Sequence, residues 1–147
     1  MFNTTIATQI YAKICFEATN SQKKIIENLS EYLSDDDFSR IFVLNGFAGT
    51  GKTTLIAALV AALKELRIKP VLLAPTGRAA KVLARYCGEQ ALTIHKRIYR
   101  QRTNADYESK FSLDFNREQG AVFIVDEASM LSDSTGDGAL FGSGSLL

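Results

Sequence analysis

Apolar residues recur at helical spacing through SQKKIIENLSEYL (21–33), with Ile25, Ile26, Leu29 and Leu33 on one stripe. Ser21 is the expected N-cap, and the polar turn Ser34-Asp35-Asp36-Asp37 is the expected stop. A β-branched and aromatic run, IFVLN at 41–45, predicts a buried strand. It leads into the glycine-rich GFAGTG and then KTTLIAALVAALKEL. The middle turns of that segment hold so few polar residues that a helix buried on most of its surface is expected. Pro70 opens a second predicted strand, VLLA at 71–74. Pro75-Thr76-Gly77 then turns the chain, and 78–86 has helical character. A short TIHK segment (93–96) precedes a charge-rich stretch, 99–119, whose pattern favours no element. AVFIV (121–125) is the third predicted strand, closed by Asp126-Glu127.

Strands alternating with helices predict an α/β fold with a parallel sheet flanked by helices. All three strands are apolar without alternation, as expected where both faces are covered. Three strands make a thin sheet, and the chain stops in a segment rich in Ser, Gly and Asp. The expected organisation is a loose or partly helical lead-in (1–19), a partial α/β domain (20–130) truncated at its C-terminal side, and a flexible loop (131–147).

Composition changes this picture little. In 147 residues, apolar content of 46% and charged content of 22% are ordinary for a soluble domain with a core. A net charge of +1 neither favours nor disfavours nucleic acid, since a basic patch can hide in a balanced total. Cys15 and Cys87 stand far apart with no metal-ligand spacing, so buried free thiols are expected. The longest apolar run, 55–63, falls short of the roughly twenty residues of a membrane span. With no signal-peptide pattern, the chain is expected in the cytoplasm with no membrane partner, and its oligomeric state is open.

The chemistry sits in the loops. Gly46-Phe47-Ala48-Gly49-Thr50-Gly51-Lys52-Thr53 fits G-x-x-x-x-G-K-[ST] between a predicted strand and a predicted helix, the context that motif requires. Glycines at 46, 49 and 51 let successive amides point at one anion, and the following helix adds its positive end. Lys52 faces the β- and γ-phosphates of ATP, the Thr53 hydroxyl suits Mg²⁺, and Ala48, Thr50 and Thr54 complete the nucleotide-binding set. An apolar strand ending in Asp126-Glu127 is the expected second half, with Asp126 for Mg²⁺ and Glu127 to orient and deprotonate the attacking water. Lys52, Asp126 and Glu127 are thus the catalytic candidates. An acidic pair that merely solvates a strand end is the other reading of 126–127.

GFAGTGKTT, LLAPTGRAAKVL, TIHK and IVDEASM, in this order and spacing over roughly 21–130, resemble motifs I and Ia, the T-x-H element and motif II of RecD-like superfamily one DNA helicases. The resemblance implies a RecA-like phosphate-loop motor domain that couples ATP hydrolysis to 5′ to 3′ movement on single-stranded DNA. It implies that Gln22 reads the adenine edge, although a solvated Gln at a helix start fits the residue as well. It further implies that Pro75, Thr76, Gly77 and Arg78 meet the DNA backbone, with Thr93 and His95 near the DNA track. Residue chemistry agrees at Arg78 and Lys81, which add charge at a helix N-terminus. For His95, a structural bond to backbone serves equally. Lys96, Arg97, Arg100 and Arg102 around Tyr99 suit a single-strand track or, equally, a solvated surface.

The chain departs from the family pattern in what it lacks: no later glutamine motif, arginine finger or second RecA-like domain precedes Leu147, and 99–119 is short for a strand-separating pin. Two further readings therefore stand beside the helicase motor. One is a different phosphate-loop ATPase acting on a protein partner, and the other is a nucleotide-binding fragment without catalytic activity.

Overall fold

A computed structural model describes residues 2–35, 37, 40–103, 109–113, 116 and 118–131. Contacts divide the chain into two units, Met1–Pro70 with Arg85–Glu89 and Gly120–Val122, and Val71–Ala84 with Gln90–Gln119 and Phe123–Leu147.

The first unit is built on three helices, α1 (Phe2–Lys13), α2 (Asn20–Ser34) and α3 (Lys52–Glu65). The lead-in is therefore an ordered helix over most of its length. Its pattern is faint because Ile6 and Ile10, one turn apart, are its only buried residues over 5–13, although α1 packs against both α2 and α3. Ile6 and Ile10 of α1, Ile26 and Leu29 of α2, and Leu55, Leu59, Val60 and Leu63 of α3 are buried. Burying side chains of this size stabilises by about 1.5–3 kcal/mol each. Lys13 also pairs with Glu65 across α1 and α3, a half-exposed ion pair of small net worth.

α2 begins two residues earlier than expected. Thr19, not Ser21, is the N-cap: its hydroxyl accepts the Gln22 N–H at 3.3 Å, and Gln22 Oε1 accepts the Thr19 N–H at 2.9 Å. This reciprocal capping box satisfies two donors at once, which a cap at Ser21 could not do. α2 ends at Ser34, as the polar turn predicts.

α3 ends in a Schellman motif, with Ile68 N–H donating to Leu63 O at 2.8 Å and Arg67 N–H donating to Lys64 O at 3.0 Å. Arg67 takes the left-handed position at φ 59°, a place that favours glycine. Arg67→Gly should therefore stabilise the chain by about 1 kcal/mol, raising Tm by about 3 °C. Calorimetry checks it; an unchanged or lowered Tm would show that the Arg67 side chain contributes more than its backbone strain removes.

The expected strand at 41–45 is not formed. Residues 41–47 run without regular secondary structure, and Ile41 and Val43 are 83% and 79% exposed. Strand propensity is largely a preference for a paired, half-buried surface, and the described backbone provides no ladder partner for this segment. Phe42 instead packs on Tyr32 of α2, ring centroids 5.5 Å apart, while the Tyr32 hydroxyl donates to Arg40 O at 2.9 Å.

Six further elements follow, namely β1 (Pro70–Ala74), α4 (Gly77–Cys87), β2 (Ala91–Thr93), α5 (Ile94–Ile98), β3 (Tyr99–Thr103) and β4 (Ser109–Leu113). The last strand, β5 (Val122–Val125), precedes a short 3₁₀ turn over Ala128–Met130. The sheet order is β2-β1-β5, so β1 is central, and Val71 to Ala74 are all buried. β1 and β2 pair in parallel, with Leu72 opposite Ala91 and Ala74 opposite Thr93. Val122 N–H bonds to Lys69 O at 2.9 Å and Asp126 N–H to Leu73 O at 3.0 Å, so β5 advances with β1 and is parallel to it. In the described three-stranded sheet both faces are covered at β1, whereas β5 alternates and exposes Phe123 and Val125. The α/β parallel architecture expected from the sequence is therefore present, with β2 added from a segment too short to show a pattern.

The stretch 99–119 contains an antiparallel hairpin, β3 with β4, pairing Tyr99 with Leu113 and Arg102 with Lys110. The expected C-terminal loop lies, from residue 132 on, outside the described residues. No helix among the described residues is long and apolar enough to cross a membrane. The cysteines correct the expectation of burial: neither is in a disulfide, and Cys15 is exposed while Cys87 is half-buried.

Candidate functional site

In the first unit, the phosphate loop runs directly into α3. Gly49 and Gly51 take left-handed backbone at φ 77° and 82°, which a side chain would strain. Gly51 is the N-cap of α3 and supplies no capping side chain, so the first-turn amides and the positive end of a 14-residue helix are left to an anion. Gly46 sits in a tight place, since a Cβ there would lie 3.1 Å from the Thr50 hydroxyl and would have to push it aside by a few tenths of an ångström.

Lys52 Nζ lies over this loop, donating to the carbonyls of Gly46 at 2.5 Å and Phe47 at 2.6 Å. The Thr50 hydroxyl donates to the same Phe47 carbonyl at 2.8 Å. The lysine that the sequence assigns to phosphate is thus held by the loop whose amides would share that phosphate. Ala48 and Thr54 are exposed, and Thr53 sits half-buried in the first turn of α3. Phe47, which the sequence reading passed over, is 89% exposed at the loop tip.

Gln22 reaches this loop as well. Its Nε2 donates to Thr50 O at 3.4 Å, while its Oε1 is engaged by the Thr19 N–H. The T-x-x-Q capping-box pattern was present in the sequence and is the signal that could have located Thr19.

In the second unit, the parallel sheet brings the carboxyl ends of its strands to one edge, where open α/β sheets place their ligands. Pro75, Thr76, Gly77 and Arg78 follow β1, His95 follows Thr93 at the end of β2, and Asp126 and Glu127 follow β5. Residues scattered over fifty positions of sequence are therefore gathered on one edge by strand order.

Both threonines of this edge act as helix caps. The Thr76 hydroxyl accepts Ala79 N–H at 3.2 Å at the start of α4, and the Thr93 hydroxyl accepts Lys96 N–H at 3.2 Å at the start of α5. Their first role is local, and it sets the direction of the helices that carry Arg78 and His95. Arg78 and Lys81 are exposed. Arg97 leaves the basic cluster by pairing with Glu118 at 2.8 Å. Arg100 and Arg102 lie in β3, where register places them opposite Ser112 and Lys110.

Asp126 and Glu127 are tied to each other locally. Glu127 donates its N–H to Asp126 Oδ1 at 3.0 Å and opens the 3₁₀ turn with left-handed backbone, φ 56° and ψ 35°. A non-glycine residue held there costs about 1–2 kcal/mol, strain that collects at sites where a side chain must be aimed. Among the described residues no group of three or more His, Cys, Asp or Glu forms a metal cage.

The sequence model of the AAA domain matches residues 17–140 of the chain. The ATP-dependent RecD2 DNA helicase of Deinococcus radiodurans is 29% identical over 114 residues, covering 78% of this chain and 15% of the relative. The ATP-dependent DNA helicase dda of Enterobacteria phage T4 is 37% identical over 92 residues, covering 59% of this chain and 20% of the relative.

Proposed function

The chain belongs to the AAA domain family, and we propose that it is an ATP-driven motor segment of a DNA helicase, converting ATP hydrolysis into movement along single-stranded DNA. The observation that carries this reading is the phosphate loop, with its left-handed glycines at an uncapped helix start and Lys52 poised over it. The two relatives, both DNA helicases by name, support the choice of DNA as the track.

In this reading the amides of residues 48–53 and Lys52 would hold the triphosphate, and the Thr53 hydroxyl and Asp126 would each serve as an Mg²⁺ ligand. When bound, Mg²⁺ supplies charge neutralisation between phosphate oxygens. Glu127 accepts the proton of the attacking water. Support for the last two roles comes from the apolar strand that ends in them and from the backbone strain at Glu127. Pro75, Thr76, Gly77 and Arg78 serve the DNA backbone with Thr93 and His95, in keeping with their placement on the same sheet edge as Asp126 and Glu127.

The exposed Arg78 supplies the test. Single-strand binding by the chain should weaken steeply with salt, and Arg78→Glu should lower affinity alike for oligonucleotides of different sequence. Fluorescence anisotropy across a salt series, with phosphate release measured in parallel, checks both. A loss confined to some sequences, or phosphate release indifferent to DNA, would overturn the reading.

A further inference from the structure

Gln22 stands where the start of α2 meets the phosphate loop, and its carboxamide is shared between them. Oε1 accepts the Thr19 N–H at 2.9 Å, and Nε2 donates to the Thr50 carbonyl at 3.4 Å. Because the Thr19 N–H demands an acceptor, the oxygen must face Thr19 and the NH₂ must face the loop. A second observation shows how close the approach is: a Cβ on Gly51 would lie 2.8 Å from Nε2. Thr50 and Gly51 are the two residues that deliver the chain to Lys52, at the point where left-handed backbone becomes helix.

We infer that Gln22 is a positioning residue for the phosphate loop, tying Thr50 and Gly51 to the capped end of α2 so that Lys52 and the first amides of α3 face a triphosphate in a set direction, whatever base it carries. The inference rests on the phosphate-loop reading and deepens it. The anchor is firm, since Ile26 and Leu29 of α2 are buried and the capping box fixes the first turn. A loop held in its binding geometry loses less freedom when the anion arrives, which is where such a contact contributes affinity. It also gives glycine at 51 a second reason, since a Cβ there would displace the carboxamide that steadies the loop.

A residue that reads adenine and a residue that steadies the loop leave different ligand profiles. Binding of Mg-ATP, Mg-GTP and Mg-tripolyphosphate to the chain should be measured by calorimetry for wild type, Gln22→Met and Gln22→Glu. Met removes both hydrogen bonds without adding charge. Glu retains the acceptor for the Thr19 N–H, preserving the capping box, but offers no donor to Thr50. Measuring the Glu variant at about 0.5 M salt screens its added charge.

Both variants should weaken all three ligands alike, by about three- to tenfold, with the melting temperature of Gln22→Glu equal to that of wild type. A loss confined to Mg-ATP would make Gln22 an adenine reader and overturn the inference, as would wild-type binding of all three ligands by Gln22→Glu. Loss of all three together with a lowered melting temperature in Gln22→Glu would reduce Gln22 to a fold-stabilising residue. Wild-type chain that takes up no triphosphate of any kind would remove the phosphate-loop reading itself.

Discussion

Lys52→Ala should lower Mg-ATP affinity at least tenfold, about 1.4 kcal/mol, while leaving the fold intact. The ammonium donates to the Gly46 and Phe47 carbonyls, so the substitution removes both the charge facing the phosphates and two bonds that close the loop. Alanine is a better helix former than lysine, and position 52 is the first residue of α3, so helix stability gives no competing explanation. Calorimetric titration with Mg-ATP, alongside circular dichroism to confirm folding, reads the outcome. Unchanged affinity in a folded variant would remove the assignment of this loop to phosphate.

Glu127→Gln should separate binding from turnover. The amide keeps the shape of the side chain and the left-handed backbone at 127, yet it cannot take a proton from water. Loss of a positioned general base lowers rate by about 10²–10⁴-fold, while Mg-ATP affinity should stay within about twofold of wild type, since a residue acting only in the transition state contributes little to ground-state binding. Phosphate release at saturating ATP, with and without single-stranded DNA, measures the first quantity, and calorimetry the second. Equal turnover in the variant and wild type would exclude Glu127 from the chemistry. A parallel fall in affinity would instead place Glu127 in the binding of nucleotide or Mg²⁺.

What was legible in the sequence was local. The phosphate loop follows from glycine, lysine and threonine at fixed spacing, because the backbone freedom of glycine and the start of a helix are properties of neighbouring residues. The burial of α3 follows from its near-absence of polar positions, and the end of α2 from a run of residues that compete for backbone hydrogen bonds. β1 and β5 were readable for the same reason, as unbroken apolar runs bounded by turns. The AAA match over 17–140 agrees with that reading of the family.

Tertiary structure decided what depends on partners distant in the chain. Residues 41–45 have the composition of a strand, but a strand exists only where another backbone completes its ladder, and composition cannot say whether one arrives. α1 carries so little pattern because two isoleucines one turn apart, Ile6 and Ile10, seat it against α2 and α3, partners that its own periodicity does not reveal. Strand order, invisible in any local window, gathers Thr76, Thr93 and Asp126 onto one sheet edge and pairs Arg97 with Glu118, which withdraws one cation from the basic cluster. Gln22 shows the division most plainly. Sequence and resemblance could offer it as an adenine contact and the T-x-x-Q pattern its bond to Thr19, whereas its bond to Thr50 depends on folding that brings residues 28 positions apart within 3.4 Å. Contacts of that kind are made by packing, because only the folded chain determines which groups a side chain meets once its own helix is in place.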